Sequence, residues 1–264
     1  MNISTHLRAL RRLAGLAVLF PVTLFLGMVN FRPGTVGLCR SARNSRFCAR
    51  LLLRALGVEL KVEGNVPDSF CGVVVSNHLG YLDILVHASL LPLRFAAKSD
   101  IRCWPLLGGY LALFRPIWID RRRRVRAARS VAELVLSLGS GVAPIVYPEG
   151  TSSDGTRGVL PFRTTAFEPA AAGNWPVLPL ATRYPDRSLA WVGSDSFLPH
   201  FFRMLRRRRI EVEVVVLEPL FPRAGEGRGA LAERCRRAIE NALVGKSDGT
   251  VSEKKCRINC NYMV

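Results

Sequence analysis

From Gly57 onward, short apolar or β-branched runs alternate with stretches of helical periodicity, and this alternation restricts the chain to an α/β domain whose twisted, mostly parallel sheet is flanked by helices. The runs predict strands over residues 58–63, 72–76, 94–97, 116–119, 142–147, 177–181, 189–193 and 210–217, with helices over 82–91, 104–112, 124–138, 164–172 and 229–243. On the third of these helices, Val125, Ala128, Val131, Ala132, Val135 and Leu138 mark a stripe expected to face the core. A chain of 264 residues suits one sizeable core plus an appendage. Its 49% hydrophobic content against 22% charged residues excludes disorder as a general state. The expected division is a membrane-associating segment over 1–56, the α/β domain over 57–244 and a disordered tail over 245–264.

The N-terminal segment contains no acidic residue before Glu59, yet it carries nine arginines, half of the formal net charge of +18. Behind Arg8, Arg11 and Arg12 lies an uncharged run from Leu13 to Phe31, interrupted by Pro21 and Gly27 and followed by no small-x-small cleavage site. It is about long enough to cross a bilayer at a helical rise. Positive charge on both flanks instead fits a re-entrant piece or hydrophobic hairpin whose two ends stay cytoplasmic. Arg40, Arg43, Arg46, Arg50 and Arg54 then recur at helical spacing, within one arc of about 120°. Cys48, Ala49, Leu52, Leu53 and Leu56 fall on the remaining arc. This pattern predicts a basic helix for an anionic headgroup layer, the alternative being a surface helix packed on the domain. The expected location is the cytoplasmic face of the inner (plasma) membrane.

Seven cysteines with no C-x-x-C pair, and four histidines away from finger spacing, indicate neither a zinc site nor a disulfide framework. The economical reading is a reducing environment.

The chemistry concentrates where predicted strands end. Val73-Val74-Val75-Ser76 runs into Asn77-His78, and Asp83 follows five residues after the histidine, inside the next helix. Parallel α/β sheets bind ligands at the carboxyl ends of their strands. A histidine base needs one nitrogen free and a carboxylate on the other, and H-x4-D meets this when the chain turns into a helix between the two. Tyr147-Pro148-Glu149-Gly150-Thr151 leaves a second strand through a Pro and Gly turn, on the same expected edge.

Taken as a set, these residues resemble the glycerolipid acyltransferase family typified by lysophosphatidic acid acyltransferase. The N-H-x4-D block is Asn77, His78 and Asp83, and the aromatic-x-x-Arg block is Trp118-Ile119-Asp120-Arg121. The F-P-E-G-T block is Tyr147 to Thr151, and the apolar strand with a proline is Val177-Leu178-Pro179. The blocks stand in family order and cover about residues 57–220. The resemblance implies a glycerol-3-phosphate-acyltransferase-like fold, and transfer of a fatty acyl group from an acyl carrier protein or coenzyme A thioester to the free hydroxyl of a lysolipid. His78 would be the base and Asp83 its orienting partner. Asn77, Arg121, Glu149, Gly150 and Thr151 would serve the acceptor, with Pro179 shaping the pocket. No cofactor, metal or covalent acyl-enzyme is implied, and no G-x-S-x-G elbow is present. Lys98 either reaches a phosphate or is a solvated lysine.

Two departures bear on the acceptor. Arg115 stands where the second block usually has glycine, and Ser152-Ser153-Asp154-Gly155 stands where many members continue with arginine. The latter run, with Val159-Leu160-Pro161-Phe162-Arg163, looks like the branch that includes lyso-ornithine lipid acyltransferases. There Asp154 would face an amine, although Asp-Gly is also a common turn pair. The arginine runs at 121–129 and 203–209 suggest docking of the acidic donor. They also fit a membrane-tethered nucleic-acid binder, which would leave His78, Asp83 and Glu149 without a role. An inactive membrane scaffold is the remaining alternative. The family reading implies membrane lipids and an acyl thioester as partners, and no nucleic acid.

Overall fold

A computed structural model of the chain describes residues 3–119, 124–193 and 195–245. Two long helices, α1 (Ile3–Asn30) and α2 (Gly34–Leu56), lead into the domain and pack on each other. α1 runs unbroken through Pro21, so the expected break there does not occur. By length and composition this helix is apolar enough to cross a membrane, and most of its apolar side chains face outward. α2 packs against the domain, with Cys48, Leu53 and Leu56 inside its main core. Of its arginine stripe, Arg40, Arg43 and Arg54 are exposed, whereas Arg46 and Arg50 are half-buried and Arg50 Nε donates to Ser89 O at 2.9 Å. The helix ends at Gly57, whose φ of 66° is left-handed and lets its N–H close on Arg54 O before the first strand begins.

Seven strands follow among the described residues: β1 (Val58–Glu63), β2 (Val73–Ser76), β3 (Leu93–Lys98), β4 (Ile117–Ile119), β5 (Ala143–Val146), β6 (Val177–Arg183) and β7 (Ile210–Val216). They form one sheet in the order β1-β7-β6-β2-β5-β3-β4, parallel throughout except between β6 and β7. Side chains alternate between two cores, as a pleated strand requires. Val74, Ile145, Leu178 and Val214 face one layer with α2, α3 (Leu82–Leu90) and α7 (Phe197–Arg206). Val73, Val75, Val146 and Val177 face the other, with α5 (Arg124–Gly139), α6 (Glu168–Gly173) and α8 (Arg228–Val244). Val73, Val74 and Val75 are all at 0% exposure. At about 1.5–3 kcal/mol per buried valine, these three side chains anchor the central strand β2, which carries His78 at its end.

Three expectations fail. Residues 189–193 form no strand: a 3₁₀ turn over Arg187–Leu189, closed by the Asp186 carboxylate on Ser188 N–H, leads into a loop whose Leu189 and Ala190 are buried. The helix expected over 104–112 begins only at Leu107, as α4 (Leu107–Ala112). On α5, among the described side chains, which do not include Val125, the buried positions are Ser130, Leu134, Ser137 and Leu138, while Ala128, Ala132 and Val135 are exposed. The buried stripe is thus rotated, keeping Leu138 of the expected set and turning Ser137 inward, where it donates to Val142 O at 2.8 Å.

Arg115 adopts φ 51°, a left-handed conformation in which glycine is the cheap residue. Its side chain offsets that cost structurally, since Nη1 donates to both Arg32 O and Gly34 O, at 2.9 Å each, and fastens the link between α1 and α2 to the sheet.

Candidate active site

β2, β5 and β6 are parallel neighbours, so their carboxyl ends meet on one edge. There His78 follows β2, Tyr147 and Glu149 follow β5, and Tyr184 follows β6. His78 Nδ1 lies 2.8 Å from Asp83 Oδ2. An ionised carboxylate only accepts, so Nδ1–H donates, and Nε2 is left as the basic nitrogen of a side chain that is 20% exposed.

Asp83 is fully buried in the first turn of α3. Its Oδ2 also accepts the Leu79 N–H at 2.6 Å and the Gly80 N–H at 3.0 Å, and its Oδ1 accepts the Tyr184 hydroxyl. Burial by itself raises the Asp83 pKa. The hydrogen bond and charge of His78, with His87 and the Tyr184 hydroxyl, outweigh burial and hold it below the ordinary range. The carboxylate is therefore charged and immobile.

Glu149 grips the same turn from β5. Its Oε1 accepts the His78 backbone N–H at 2.9 Å, and its Oε2 is 3.4 Å from Leu160 N. Burial pushes its pKa up to about 7, against the lowering effect of those two N–H groups. Gly150 follows at φ 75°, and a Cβ there would lie 2.5 Å from Arg163 Nε. A side chain there would have to displace Arg163 and hold a left-handed φ.

The Tyr147 ring stacks on His78, with centroids 4.2 Å apart at 22°. Its hydroxyl is 2.9 Å from His87 Nδ1, and His87 Nε2 is 2.8 Å from Thr182 Oγ1, which lies 3.1 Å from Ser76 Oγ. His87 is fully buried, and desolvation lowers its pKa to about 4, so it is a neutral member of this seat.

The remaining predicted residues are distributed as follows. Asn77 spans to β6, donating from Nδ2 to Thr182 O at 2.9 Å and accepting Thr182 N–H on Oδ1 at 2.8 Å, so its amide ties two strands together. Pro179 is buried in β6, in register with Val75. Thr151 is exposed beside Gly150, and Asp154 is half-buried with Oδ1 closing a turn on Thr156 N–H at 2.9 Å. Lys98 is exposed at the end of β3. Arg121 lies outside the described residues. The sequence pattern singles out neither Tyr184 nor His87. The signal for Tyr184 is the one that marked His78, a polar side chain just past a parallel strand on the edge where ligands bind.

With an imidazole held by a buried carboxylate, and no nucleophilic side chain hydrogen-bonded to that ring among the described residues, the arrangement suits proton abstraction from a bound hydroxyl. A family model described as Acyltransferase matches residues 58–183. A lyso-ornithine lipid O-acyltransferase of Brucella abortus (strain 2308) is 32% identical over 226 residues, covering 77% of this chain and 84% of that protein. A 1-acyl-sn-glycerol-3-phosphate acyltransferase of Neisseria meningitidis serogroup B is 30% identical over 260 residues, covering 94% of this chain and 98% of that protein. The crystal structure of the 1-acyl-sn-glycerophosphate acyltransferase of Thermotoga maritima shares the fold, with a TM-score of 0.65 at 21% identity over 94% of this chain and all of that one. The extent of these matches, together with the order of the sequence blocks, places the chain in the acyltransferase family, as an enzyme of the 1-acylglycerol-3-phosphate O-acyltransferase type.

Proposed function

We propose that the protein transfers a fatty acyl group from an acyl carrier protein or coenzyme A thioester to the free hydroxyl of a lysolipid held in the membrane. The observation that carries this reading is the His78–Asp83 pair, with three donors gathered on one buried carboxylate oxygen. His78 Nε2 takes the acceptor's hydroxyl proton as that oxygen bonds to the thioester carbonyl carbon. The C–S bond then breaks, and the imidazolium returns the proton to the departing thiolate. Asp83 stabilises the imidazolium formed in between. Glu149 holds the His78 backbone in place, and Gly150 and Thr151 border the acceptor, with Arg121 and Lys98 as the cations available to its headgroup.

A lyso-ornithine lipid is the favoured acceptor. The run Ser152-Ser153-Asp154-Gly155 departs from the arginine-bearing pattern, and proteins named lyso-ornithine lipid O-acyltransferase, from Brucella abortus, Pseudomonas aeruginosa and Rhizobium meliloti, are among the relatives. α1 supplies the anchor, and the cytoplasmic face supplies the soluble donor.

The test is incubation of the purified protein with labelled acyl donor and a panel of lysolipids, with products identified by mass spectrometry. Acylated lyso-ornithine lipid is expected, and His78→Ala should abolish it while membrane association persists. Turnover retained in that variant overturns the base assignment.

A further inference from the structure

α1 does not stand free of the catalytic domain. Arg12, 3% exposed, donates from Nη1 to Leu205 O at 2.9 Å and Arg207 O at 2.8 Å, so it is fixed to the last turn of α7. Whatever surface receives α1 therefore meets α7 as well. α7 is amphipathic: His200, Met204 and Leu205 are buried, while Leu198 and Phe202 project outward at 62% and 42% exposure, ahead of the exposed Arg203 and Arg206.

Beside the start of α7, Trp104 approaches Phe197, with ring centroids 6.1 Å apart. Two residues on, Pro105-Leu106-Leu107 makes a γ-turn. Leu107 N–H donates to Pro105 O at 2.7 Å, and Leu106 sits at φ 63°, ψ −50°, a rare and strained conformation for any residue with a side chain. The strained residue is a leucine whose side chain is 85% exposed, so no packing within the domain repays the strain. Arg102, also exposed, lies just before it.

We propose that Trp104, Leu106, Leu198 and Phe202 form a second membrane-contact surface, on the catalytic domain itself, which enters an anionic leaflet with Arg102 and Arg206 at the headgroups, while Arg203 is held by Asp195 at 2.6 Å. Two observations select a bilayer as the occupant. The patch continues from α1 through the Arg12 clamp, and its apolar tips are bordered by arginines that match anionic lipid. The same surface borders the catalytic turn, because Trp191 N–H donates to Leu79 O at 2.9 Å and the Trp191 ring packs on both Tyr81 and Phe197. Seating it brings the neighbourhood of His78 to the level of the lipid hydroxyls. This inference builds on the membrane reading of α1, and its test separates the two.

The full-length protein is bound to vesicles of phosphatidylcholine and phosphatidylglycerol (3:1), with a fraction of the lipid brominated at positions 6 and 7 of one acyl chain. Bromine-dependent quenching of tryptophan fluorescence is expected to fall by half or more in Trp104→Phe. Equal quenching in the two proteins overturns the proposal, and this arm requires no turnover. Failure of the wild-type protein to co-sediment with the vesicles removes the membrane role of α1, and the proposal with it.

Leu106→Gly relieves the backbone, so it is expected to keep or raise thermal stability while increasing the KM for vesicle-borne acceptor about fivefold. A drop in stability without a change in KM assigns Leu106 to the fold and overturns its membrane role. Leu106→Glu/Phe202→Glu is expected to raise that KM about tenfold, to leave turnover of acceptor dispersed below its critical micelle concentration unchanged, and to keep co-sedimentation through α1. If the KM for acyl carrier protein thioester rises instead, the surface docks a protein and the bilayer assignment is wrong.

Discussion

Replacing Asp83 with asparagine removes one charge at nearly constant shape, and the surrounding donors decide how the amide settles. The Leu79 and Gly80 N–H groups both point at Oδ2, so the amide oxygen takes that place and the NH₂ takes the place of Oδ1 against Tyr184. His78 Nδ1–H keeps an acceptor, and the ring keeps its tautomer and orientation. What disappears is the negative charge facing the imidazolium. Two unit charges about 4 Å apart at an effective dielectric of about 20 interact by about 4 kcal/mol. At about 1.4 kcal/mol per decade, that is a loss of about 10³ in kcat. The assay is steady-state acyl transfer to vesicle-borne lysolipid at saturating donor. The expected result is that large drop in kcat, with both KM values within about threefold of wild type, as for an interaction made mainly in the transition state. The Tyr184 hydroxyl also loses its charged acceptor, so the variant should be less stable by about 1–3 kcal/mol. Adding Tyr184→Phe should restore much of that stability and none of the rate. A fall in kcat of less than tenfold would refute the assignment of Asp83 as the electrostatic partner of the base.

Glu149 should make stability fall as pH rises. Its folded pKa of about 7 lies above its ordinary value of 4.5, so the folded state holds the proton more tightly, and that contribution is lost between about pH 4.5 and pH 7. Glu149→Gln should reduce the difference in unfolding free energy between pH 5 and pH 8 by about 2 kcal/mol, read from denaturant titrations at the two pH values. Asn77→Ala strands the buried N–H and C=O of Thr182 and should cost about 2–4 kcal/mol by the same measurement, while Asn77→Asp keeps only the acceptor half of the pair and falls between. Gly150→Ala must displace Arg163 and hold a left-handed φ, so a loss of about 1–2 kcal/mol is expected in thermal melts; unchanged melting would show that this turn relaxes freely. Arg12→Ala should remove about 2–3 kcal/mol and expose α1 to limited proteolysis, because two carbonyls at the end of α7 lose a charged donor.

The centre of this fold is legible because its signals are local. Three valines running into Asn77-His78 announce a buried strand and its functional end within six residues, and Tyr147 to Thr151 does the same on β5. The reading failed where burial and periodicity part company. Leu189-Ala190-Trp191-Val192 looks like a strand, yet it folds as a loop beside the turn that follows His78, held by Trp191 N–H on Leu79 O. α7 escaped notice because Pro199 and a cluster of arginines interrupt its pattern, although proline in the first turn of a helix forfeits no internal hydrogen bond. The second support of Asp83 comes from Tyr184, 101 residues away, and the seat behind Tyr147 joins His87 to Thr182 across 95 residues. No spacing rule reaches that far; sheet order alone brings them together. Arg115 joins both lessons. Its place in the family block is visible from sequence, whereas its left-handed backbone and its hold on Arg32 and Gly34 emerge only once α1 and α2 are docked.

The Arg12 clamp also fixes an order of events during synthesis. Its acceptors, Leu205 O and Arg207 O, lie 193 and 195 residues downstream, so α1 is complete long before the turn that receives it exists. At about 5–20 residues per second, the guanidinium waits about 10–40 s without its native partners. During that interval a helix long and apolar enough to cross a membrane has no folded domain to lean on. Docking of α1 is therefore a late step, because the turn that offers Arg12 its two carbonyls must be synthesised and folded before the guanidinium finds them.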